Sequence, residues 1–209
     1  MWKQLTRTVI VTLSVSLSLT APTLAREYQC AVVDPAGDPK LSPGHGFDGD
    51  AYQDIVKTGI ARTPGAVVFA MELAAVIPNA PPLRTPNGLL LWMWGMNTSP
   101  GTQPGYPLSP GASGLLEFWI HLAWNGTNFY AEVIDRRPAL NGGAPVVTAV
   151  PYLVDGNVVK VIAPATLFDD PQEFRWGSST WIWPTHLGTT SPHVVDRAPD
   201  GPAATCVAN

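Results

Sequence analysis

The sequence predicts an all-β protein: a single β-sandwich of about eight strands, Ig-like or jelly-roll-like, with long Gly/Pro-rich loops. Three observations predict this class. The chain holds 22 prolines and 19 glycines in 209 residues, which leaves few uninterrupted windows of helical length. Apolar runs of strand length alternate with clusters of these turn formers. Two dipeptides typical of tight hairpins, Asn125-Gly126 and Asp155-Gly156, each stand between two such runs.

Eight apolar runs are the predicted strands. Proline and glycine clusters at 78–88, 100–114 and 138–145 separate several of them. One helical turn is predicted at 164–168. The strands are predicted at 54–60, 66–76, 89–96, 115–124, 127–134, 146–154, 157–162 and 174–183.

The two hairpin dipeptides predict two-residue type I′ turns, which determine which side chains share a face. Pairing Trp124 with Thr127 across Asn125-Gly126 places one apolar set toward the core. The opposite face of the same hairpin then carries aromatic and titratable side chains. Its members are Glu117, Trp119, His121, Tyr130 and Glu132.

Residues 1–25 have the order of a secretory signal peptide. Lys3 and Arg7 precede the apolar run 9–19, and small residues lead to an expected cleavage after Ala25. The alternative, an uncleaved anchor, is disfavoured because the apolar run is too short to span a bilayer. The expected product is one domain, 26–209, secreted or periplasmic and without stable membrane insertion.

The two cysteines, Cys30 and Cys206, lie near the two ends of that domain. Chain ends of a domain are often close together, and an exported protein meets an oxidising compartment. We therefore expect a Cys30–Cys206 disulfide, with two free thiols as the alternative.

Charge and hydrophobicity exclude several classes of protein. The formal net charge is −4 and the sequence pI is 5.4, which argues against a nucleic-acid partner. Hydrophobic residues make up 45% of the chain, so charge-driven disorder is excluded as well.

The strand at 89–96 places Trp92 and Trp94 on one side, and beside the hairpin these indoles would form an aromatic platform. Together with Trp119 and Tyr130 they suit stacking against sugar rings, because carboxylates and imidazole beside them bind hydroxyls. Two alternatives stay open. Glu117 and Glu132 would be an acid/base pair in a glycan-active hydrolase, or the face is packed under a loop.

A second group of residues is acidic. Five aspartates separated by glycine and proline suit an oxygen-coordinated hard cation, above all Ca²⁺. Their spacing differs from an EF-hand, and turn formation is the alternative explanation. The candidate ligands are Asp34, Asp38, Asp48, Asp50 and Asp54.

The C-terminal region carries further polar residues that we interpret as structural turn residues. No Gly-x-Ser-x-Gly motif or phosphate-binding glycine loop occurs between residues 26 and 209. The group comprises Asp169, Asp170, Arg175, His186, His193, Asp196, Arg197 and Asp200.

Three segments, 34–38, 54–57 and 196–200, resemble exported bacterial β-sandwich domains of the DOMON and family-9 carbohydrate-binding type. The resemblance covers most of the domain in layout. It implies an Ig-like or jelly-roll sandwich that binds sugar or haem, often with structural Ca²⁺. For haem it implies Met93 or Met96 with His121 as axial ligands.

We therefore expect a non-catalytic domain that binds a glycan or small molecule, stabilised by Ca²⁺. The alternatives are a glycan-active hydrolase and a structural envelope protein without a small-molecule ligand. The position of 100–114 over the hairpin face distinguishes a binding site from a second core.

Overall fold

Two antiparallel β-sheets packed against each other form the computed structural model of the chain, which confirms the predicted all-β sandwich. The structure describes residues 30–39, 49–83, 88–99, 116–169, 171, 173–183, 193–200 and 203–207. The predicted signal peptide, the 100–114 segment, Asp48, Asp170 and His186 lie outside the described residues. In the part that the structure describes, no helix is long and apolar enough to cross a membrane.

Twelve strands are present in the described residues, rather than about eight. The predicted run 146–154 is two strands separated at Val150-Pro151, because proline has no N–H to continue a ladder. Three short strands near the chain ends, each of four to six residues, were not predicted, because none of them contains a long apolar run. The strands are β1 (Cys30–Val33), β2 (Ile55–Thr63), β3 (Ala66–Leu73), β4 (Leu89–Asn97), β5 (Phe118–Trp124), β6 (Phe129–Asp135), β7 (Val146–Ala149), β8 (Tyr152–Asp155), β9 (Val158–Pro164), β10 (Glu173–Trp183), β11 (His193–Ala198) and β12 (Ala204–Val207).

The first sheet has the strand order β1-β2-β3-β9-β8, and the second has the order β11-β10-β4-β5-β6-β7. Strand β12 also pairs with β10, end to end with β11 along one edge. The crossover from β7 to β8 carries the chain from the second sheet to the first. In the strand order of the second sheet, β4 and β5 lie in the middle and have neighbours on both sides.

The core lies between the two sheets. A 3₁₀ turn, Ala165–Phe168, confirms the helical turn predicted at 164–168 and inserts Phe168 between the sheets. The Phe168 ring packs edge-on against Phe69 of the first sheet and Phe118 of the second, with centroid distances of 5.7 and 5.1 Å. A short helix that was not predicted, α1 (Arg137–Leu140), follows β6.

Both hairpins exist, but their turns differ from the prediction. Trp124 pairs with Phe129, so the first loop has four residues. The Asn125 side-chain oxygen accepts hydrogen bonds from the backbone N–H of Thr127 and Asn128 at 3.0 and 2.9 Å, which favours the longer loop over a type I′ turn. The pairing of β5 with β6 is therefore shifted by two positions from the predicted register. Because side chains alternate with a period of two, each residue of the hairpin still lies on its predicted face.

In the second hairpin, Asp155 pairs with Val158, so the two turn residues are Gly156 and Asn157. Only Gly156 has a positive φ, +61°, which fits a type II′ turn with glycine first rather than the predicted type I′ turn.

The predicted disulfide between Cys30 and Cys206 is present, with a Cα–Cα distance of 5.5 Å. Cys30 begins β1 in the first sheet and Cys206 lies in β12 of the second. The bridge therefore fastens two short edge strands, one from each sheet, near the ends of the chain.

Candidate functional site

Four aspartate side chains meet where the segment between β1 and β2 approaches β11. One carboxylate oxygen each from Asp34, Asp38 and Asp196 lie within 4.8 Å of one another. Asp54, just before β2, is next to them: its Oδ2 accepts a 2.8 Å hydrogen bond from the N–H of Gly37. We call these four residues the acidic cluster. Asp34, Asp54 and Asp196 are each at least 94% buried.

The local backbone explains how the sequence builds this cluster. Gly37 has a φ of +91°, a conformation that glycine adopts without strain, and it lets the chain turn back from Asp34 to Asp38. Gly49 lies so close to Val195 that a Cβ at position 49 would stand 2.3 Å from the valine Cγ1. This close approach brings the segment before β2 against β11, where Asp196 follows Val195.

The cluster contains buried carboxylate oxygens without hydrogen-bond donors. These are Oδ2 of Asp34 and Oδ1 of Asp38 and Asp54. Asp196 is different, because its two oxygens accept the backbone N–H groups of Ile55 at 2.6 Å and Arg197 at 2.7 Å. Buried acceptors without donors are costly, so three of them within one acidic cluster indicate a missing cation or missing protons.

The electrostatics agree with this interpretation. Burial, and then the charges of Asp196, Asp200 and other nearby aspartates, raise the pKa of Asp34 to about 7. Burial also raises the pKa of Asp196 to about 6 against two backbone hydrogen bonds. Burial raises the pKa of Asp54 in the same direction. A bound divalent cation would remove this repulsion.

The predicted calcium ligands are thus partly brought together. Asp34 and Asp38 belong to the group of possible ligands together with Asp196, Asp54 lies beside that group, and Asp50 belongs to neither. The Asp50 carboxylate instead accepts a 2.6 Å hydrogen bond from the hydroxyl of Tyr52 beside a 3₁₀ turn.

Sequence reasoning missed Asp196, which we interpreted as a structural turn residue. One signal was present: a Cys30–Cys206 bridge brings the residues shortly after Cys30 near those shortly before Cys206. Asp34 and Asp196 are close to the two cysteines in sequence, so the predicted disulfide itself pointed to their proximity.

The predicted position of Trp92 and Trp94 on the aromatic platform is wrong. They pair with Leu122 and Ile120, and both indoles are fully buried on the core face of the second sheet. Their N–H groups donate within the protein, from Trp92 to the carbonyl of Tyr52 at 3.1 Å and from Trp94 to the hydroxyl of Thr58 at 3.0 Å. Neither ring offers a stacking surface.

The outer face of the second sheet carries the rest of the predicted site. Trp119 and His121 on β5 lie beside Ile134 and Glu132 on β6, and Tyr130 precedes Glu132 on the same side. The centre of this face is buried: Leu91, Met93, Ala123 and Ser179 are all less than 8% exposed. Trp119, Tyr130, Glu132 and Ile134 are half-buried and form what we call the rim.

His121 is buried and neutral at physiological pH. Its Nε2 lies 3.4 Å from a carboxylate oxygen of Glu132, and its ring meets the Tyr130 ring edge-on at 6.1 Å. Burial lowers the pKa of His121 to about 4. Burial, and secondly the charge of Glu132, raise the pKa of Tyr130. The contact with Glu132 therefore involves an uncharged imidazole, not an ion pair.

Glu117 has a structural role instead of a place on the rim. One of its carboxylate oxygens accepts hydrogen bonds from the Thr98 N–H at 2.6 Å, the Thr98 hydroxyl at 2.9 Å and the Ser99 N–H at 3.1 Å. Burial raises the pKa of Glu117, but these hydrogen bonds outweigh burial and lower it overall. The side chain thereby secures the segment that follows β4.

The predicted Glu117/Glu132 acid/base pair does not form. Glu117 faces Arg136 across the hairpin and Glu132 faces His121, four positions further along, which separates them by about 13 Å along the strands. Glycosidase carboxyl pairs stand roughly 5–9.5 Å apart. The Glu117 carboxylate also points to Thr98, beyond β4, on the side away from β6.

The methionines do not provide the haem ligation that the family resemblance implied. Met96 pairs with Phe118 on the core face, opposite to His121. Met93 is the direct cross-strand neighbour of His121, about 5 Å away, and both are buried. Two adjacent, parallel side chains leave no slot for a porphyrin between them, so these residues do not fit an axial pair.

Comparison of the chain with models of known protein families, with curated proteins and with solved structures finds no match in any of the three.

Proposed function

We propose that the protein is an exported, non-catalytic binding domain whose sandwich is stabilised by a Ca²⁺ ion bound to Asp34, Asp38 and Asp196, with the Asp54 carboxylate beside them. The observation that carries this proposal is the set of buried carboxylate oxygens without donors in the acidic cluster. Export is supported by the signal-like sequence of residues 1–25 and is compatible with the disulfide.

The chemistry of the cluster favours Ca²⁺ over other cations. All candidate ligand atoms are carboxylate oxygens, which hard cations prefer, whereas zinc and copper sites use nitrogen or sulfur. Oxygens no more than 4.8 Å apart can all contact one Ca²⁺ at its usual distance of about 2.3–2.6 Å. Mg²⁺ needs shorter bonds and a regular octahedron, which three aspartates from two distant segments meet less easily.

The test measures thermal unfolding of the full chain in EDTA, CaCl₂ and MgCl₂, with isothermal titration of Ca²⁺. An extracellular-type site with a Kd of about 10⁻⁴ M at 10 mM Ca²⁺ gives about 2.7 kcal/mol. For a domain of this size, that stabilisation raises the Tm by roughly 5–11 °C. Asp196→Asn is expected to abolish most of the increase.

Two further variants make the test specific. Asp34→Asn is expected to be at least as stable as wild type in EDTA, because it removes buried like-charge repulsion, yet it loses the Ca²⁺-dependent gain. The matched control is Asp155→Asn, an exposed aspartate in the second hairpin, which keeps the full gain. Equal Tm values for wild type in EDTA and in 10 mM CaCl₂, without heat of binding, overturn the calcium site.

The rim is the second candidate site, for a carbohydrate. Trp119 and Tyr130 are half-buried aromatic side chains beside the Glu132 carboxylate, a combination that suits one or two sugar rings. The resemblance to DOMON and family-9 carbohydrate-binding domains agrees with such a ligand. We expect millimolar or tighter binding of at least one oligosaccharide in titration calorimetry, weakened by Tyr130→Ala.

The two alternative functions receive unequal support. A glycan-active hydrolase based on Glu117 and Glu132 lacks the required carboxyl separation. A structural envelope protein is favoured by the buried centre of the outer face, where Leu91 and Met93 are less than 8% exposed. That burial restricts any ligand to the rim, and a chain that binds no oligosaccharide supports the structural role.

A further inference from the structure

Arg136 extends the rim by one position at the end of β6. Its backbone N–H donates to the carbonyl of Glu117 at 2.7 Å, which continues the pairing of β5 with β6 beyond Phe118 and Asp135. By strand alternation its side chain follows Ile134 on the outer face. The guanidinium carbon lies 4.3 Å from the centroid of the Trp119 ring. This cation–π contact holds the guanidinium over the indole.

The positive charge of Arg136 has no carboxylate partner among the described residues. Its only side-chain hydrogen bond there is a 3.4 Å contact from Nη1 to the carbonyl of Leu116. The neighbouring Glu117 carboxylate is occupied by Thr98 and Ser99. Burial lowers the pKa of Arg136, and within the described part of the chain no acidic residue opposes that effect.

The next residue, Arg137, carries a guanidinium that does have carboxylate partners. Arg137 donates to both carboxylate oxygens of Asp135, at 3.0 and 2.7 Å, and also pairs with Asp169. Arg136, by contrast, is half-buried and has no counter-charge among the described residues, in a protein of net charge −4.

The indole beneath Arg136 has an unused donor too. The Nε1 of Trp119 is buried and has no hydrogen-bond acceptor. The Trp119 N–H therefore lacks an acceptor, and the guanidinium beside it has one long hydrogen bond to the described residues and donors left over. An anionic group with several acceptor oxygens would satisfy the guanidinium and lie beside the indole.

The shape of the surroundings narrows the class of ligand. The planar guanidinium fork matches a carboxylate in a bidentate arrangement. Along the strand the rim continues from Arg136 to Ile134, Glu132 and Tyr130, about 7, 13 and 20 Å away, which supply an apolar side chain, an acceptor for hydroxyl groups and an aromatic ring. An oligosaccharide that places one carboxylate at Arg136 and extends its hydroxyls and C–H faces along the strand toward Glu132 and Tyr130 matches this row of groups.

We propose that Arg136, held on Trp119, is the carboxylate-binding subsite for a uronic acid residue of an acidic polysaccharide. This inference rests on the proposed carbohydrate-binding role of the rim and is independent of the calcium site. Arg136 contacts the carboxylate, and Trp119 positions the guanidinium.

The experiment compares two probes that differ only in the carboxylate. Binding of β-1,4-linked tetraglucuronate and of cellotetraose to the full chain is measured by titration calorimetry at low ionic strength, and the panel includes oligogalacturonate and its neutral counterpart. Wild type is expected to bind at least one acidic oligosaccharide at least tenfold more tightly than its neutral counterpart. Arg136→Gln is expected to weaken that binding roughly ten- to hundredfold, because a charged hydrogen-bonded pair is lost.

Controls separate the subsite from general charge and from folding. Arg136→Lys keeps the charge but not the fork, and is expected to recover only part of the affinity. Lys160→Gln removes one positive charge from the first sheet and is expected to bind like wild type. Thermal unfolding of each variant verifies that it folds.

The possible negative results distinguish failure of the uronic acid subsite from failure of the carbohydrate-binding role. Equal affinity for acidic and neutral oligosaccharides, unaffected by Arg136→Gln, overturns the subsite but leaves carbohydrate binding by the rim in place. No binding of any oligosaccharide at 10 mM by the wild type overturns both the subsite and the carbohydrate role.

Discussion

Replacing His121 with glutamine tests the burial of the outer face, on which the limits of the rim depend. His121 is 8% exposed, and burial lowers its pKa to about 4, compared with 6.5 in an exposed histidine. Glutamine keeps a hydrogen-bond donor near Glu132 but cannot be protonated in this pH range. The variant therefore removes the titration of this side chain without introducing a charge.

The sign of the effect follows from where the protons bind. Between pH 6.5 and pH 4 the unfolded chain binds a proton at position 121 and the folded chain does not, so stability falls as the pH falls. With these two pKa values, His121 costs the wild type about 2.5 kcal/mol of unfolding free energy between pH 7.5 and pH 4.5. Asp34 and Asp196 act in the opposite direction, because their pKa values are raised and their protonation stabilises the folded chain.

The assay is urea unfolding of wild type and His121→Gln at several pH values from 7.5 to 4.5, at one fixed Ca²⁺ concentration. The contribution of the aspartates is common to both proteins, so it cancels in the difference. The wild type is expected to lose about 2.5 kcal/mol relative to the variant across this range. A difference below about 0.5 kcal/mol would show that the imidazole is solvated or paired with Glu132 as a cation, and would refute the burial of this face.

Three further predictions concern the core, the bridge and the first hairpin. Trp94→Ala is expected to cost about 3–5 kcal/mol in urea unfolding, because the ring is fully buried and its donor bond to Thr58 is lost. The double variant Cys30→Ser, Cys206→Ser is expected to lose up to about 5 kcal/mol, the entropy of closing a loop of 176 residues, measured against the oxidised protein. Asn125→Ala is expected to cost about 1 kcal/mol through the lost turn hydrogen bonds, and an unchanged urea midpoint would contradict that role.

Local features of the sequence were sufficient to predict the fold class and to predict which face of the first hairpin each residue lies on. Alternation has a period of two, so the faces of β5 and β6 stayed correct although the turn at Asn125 was longer than predicted. Cys30 and Cys206 paired as expected, because chain ends in one sandwich come together.

The faces of β4 could not be predicted in the same way. Its residues are apolar on both sides, with Trp92 and Trp94 alternating with Leu91 and Met93, so polarity does not distinguish core from exterior. Only the pairing with β5 and β10 decides which set faces the first sheet. A central strand that is buried on both faces has no alternation of polar and apolar residues from which its faces could be predicted.

The sequence by itself determined an all-β sandwich, its bridged ends and an acidic segment rich in turn formers, because these depend on residue types over short stretches. Only the tertiary structure decided that Asp196 of β11 joins Asp34 and Asp38, and that Arg136 lies over Trp119 with no carboxylate partner among the described residues. The physical reason is that these contacts come from the pairing of strands and the approach of distant segments. Spacing along the chain does not encode such distances between strands.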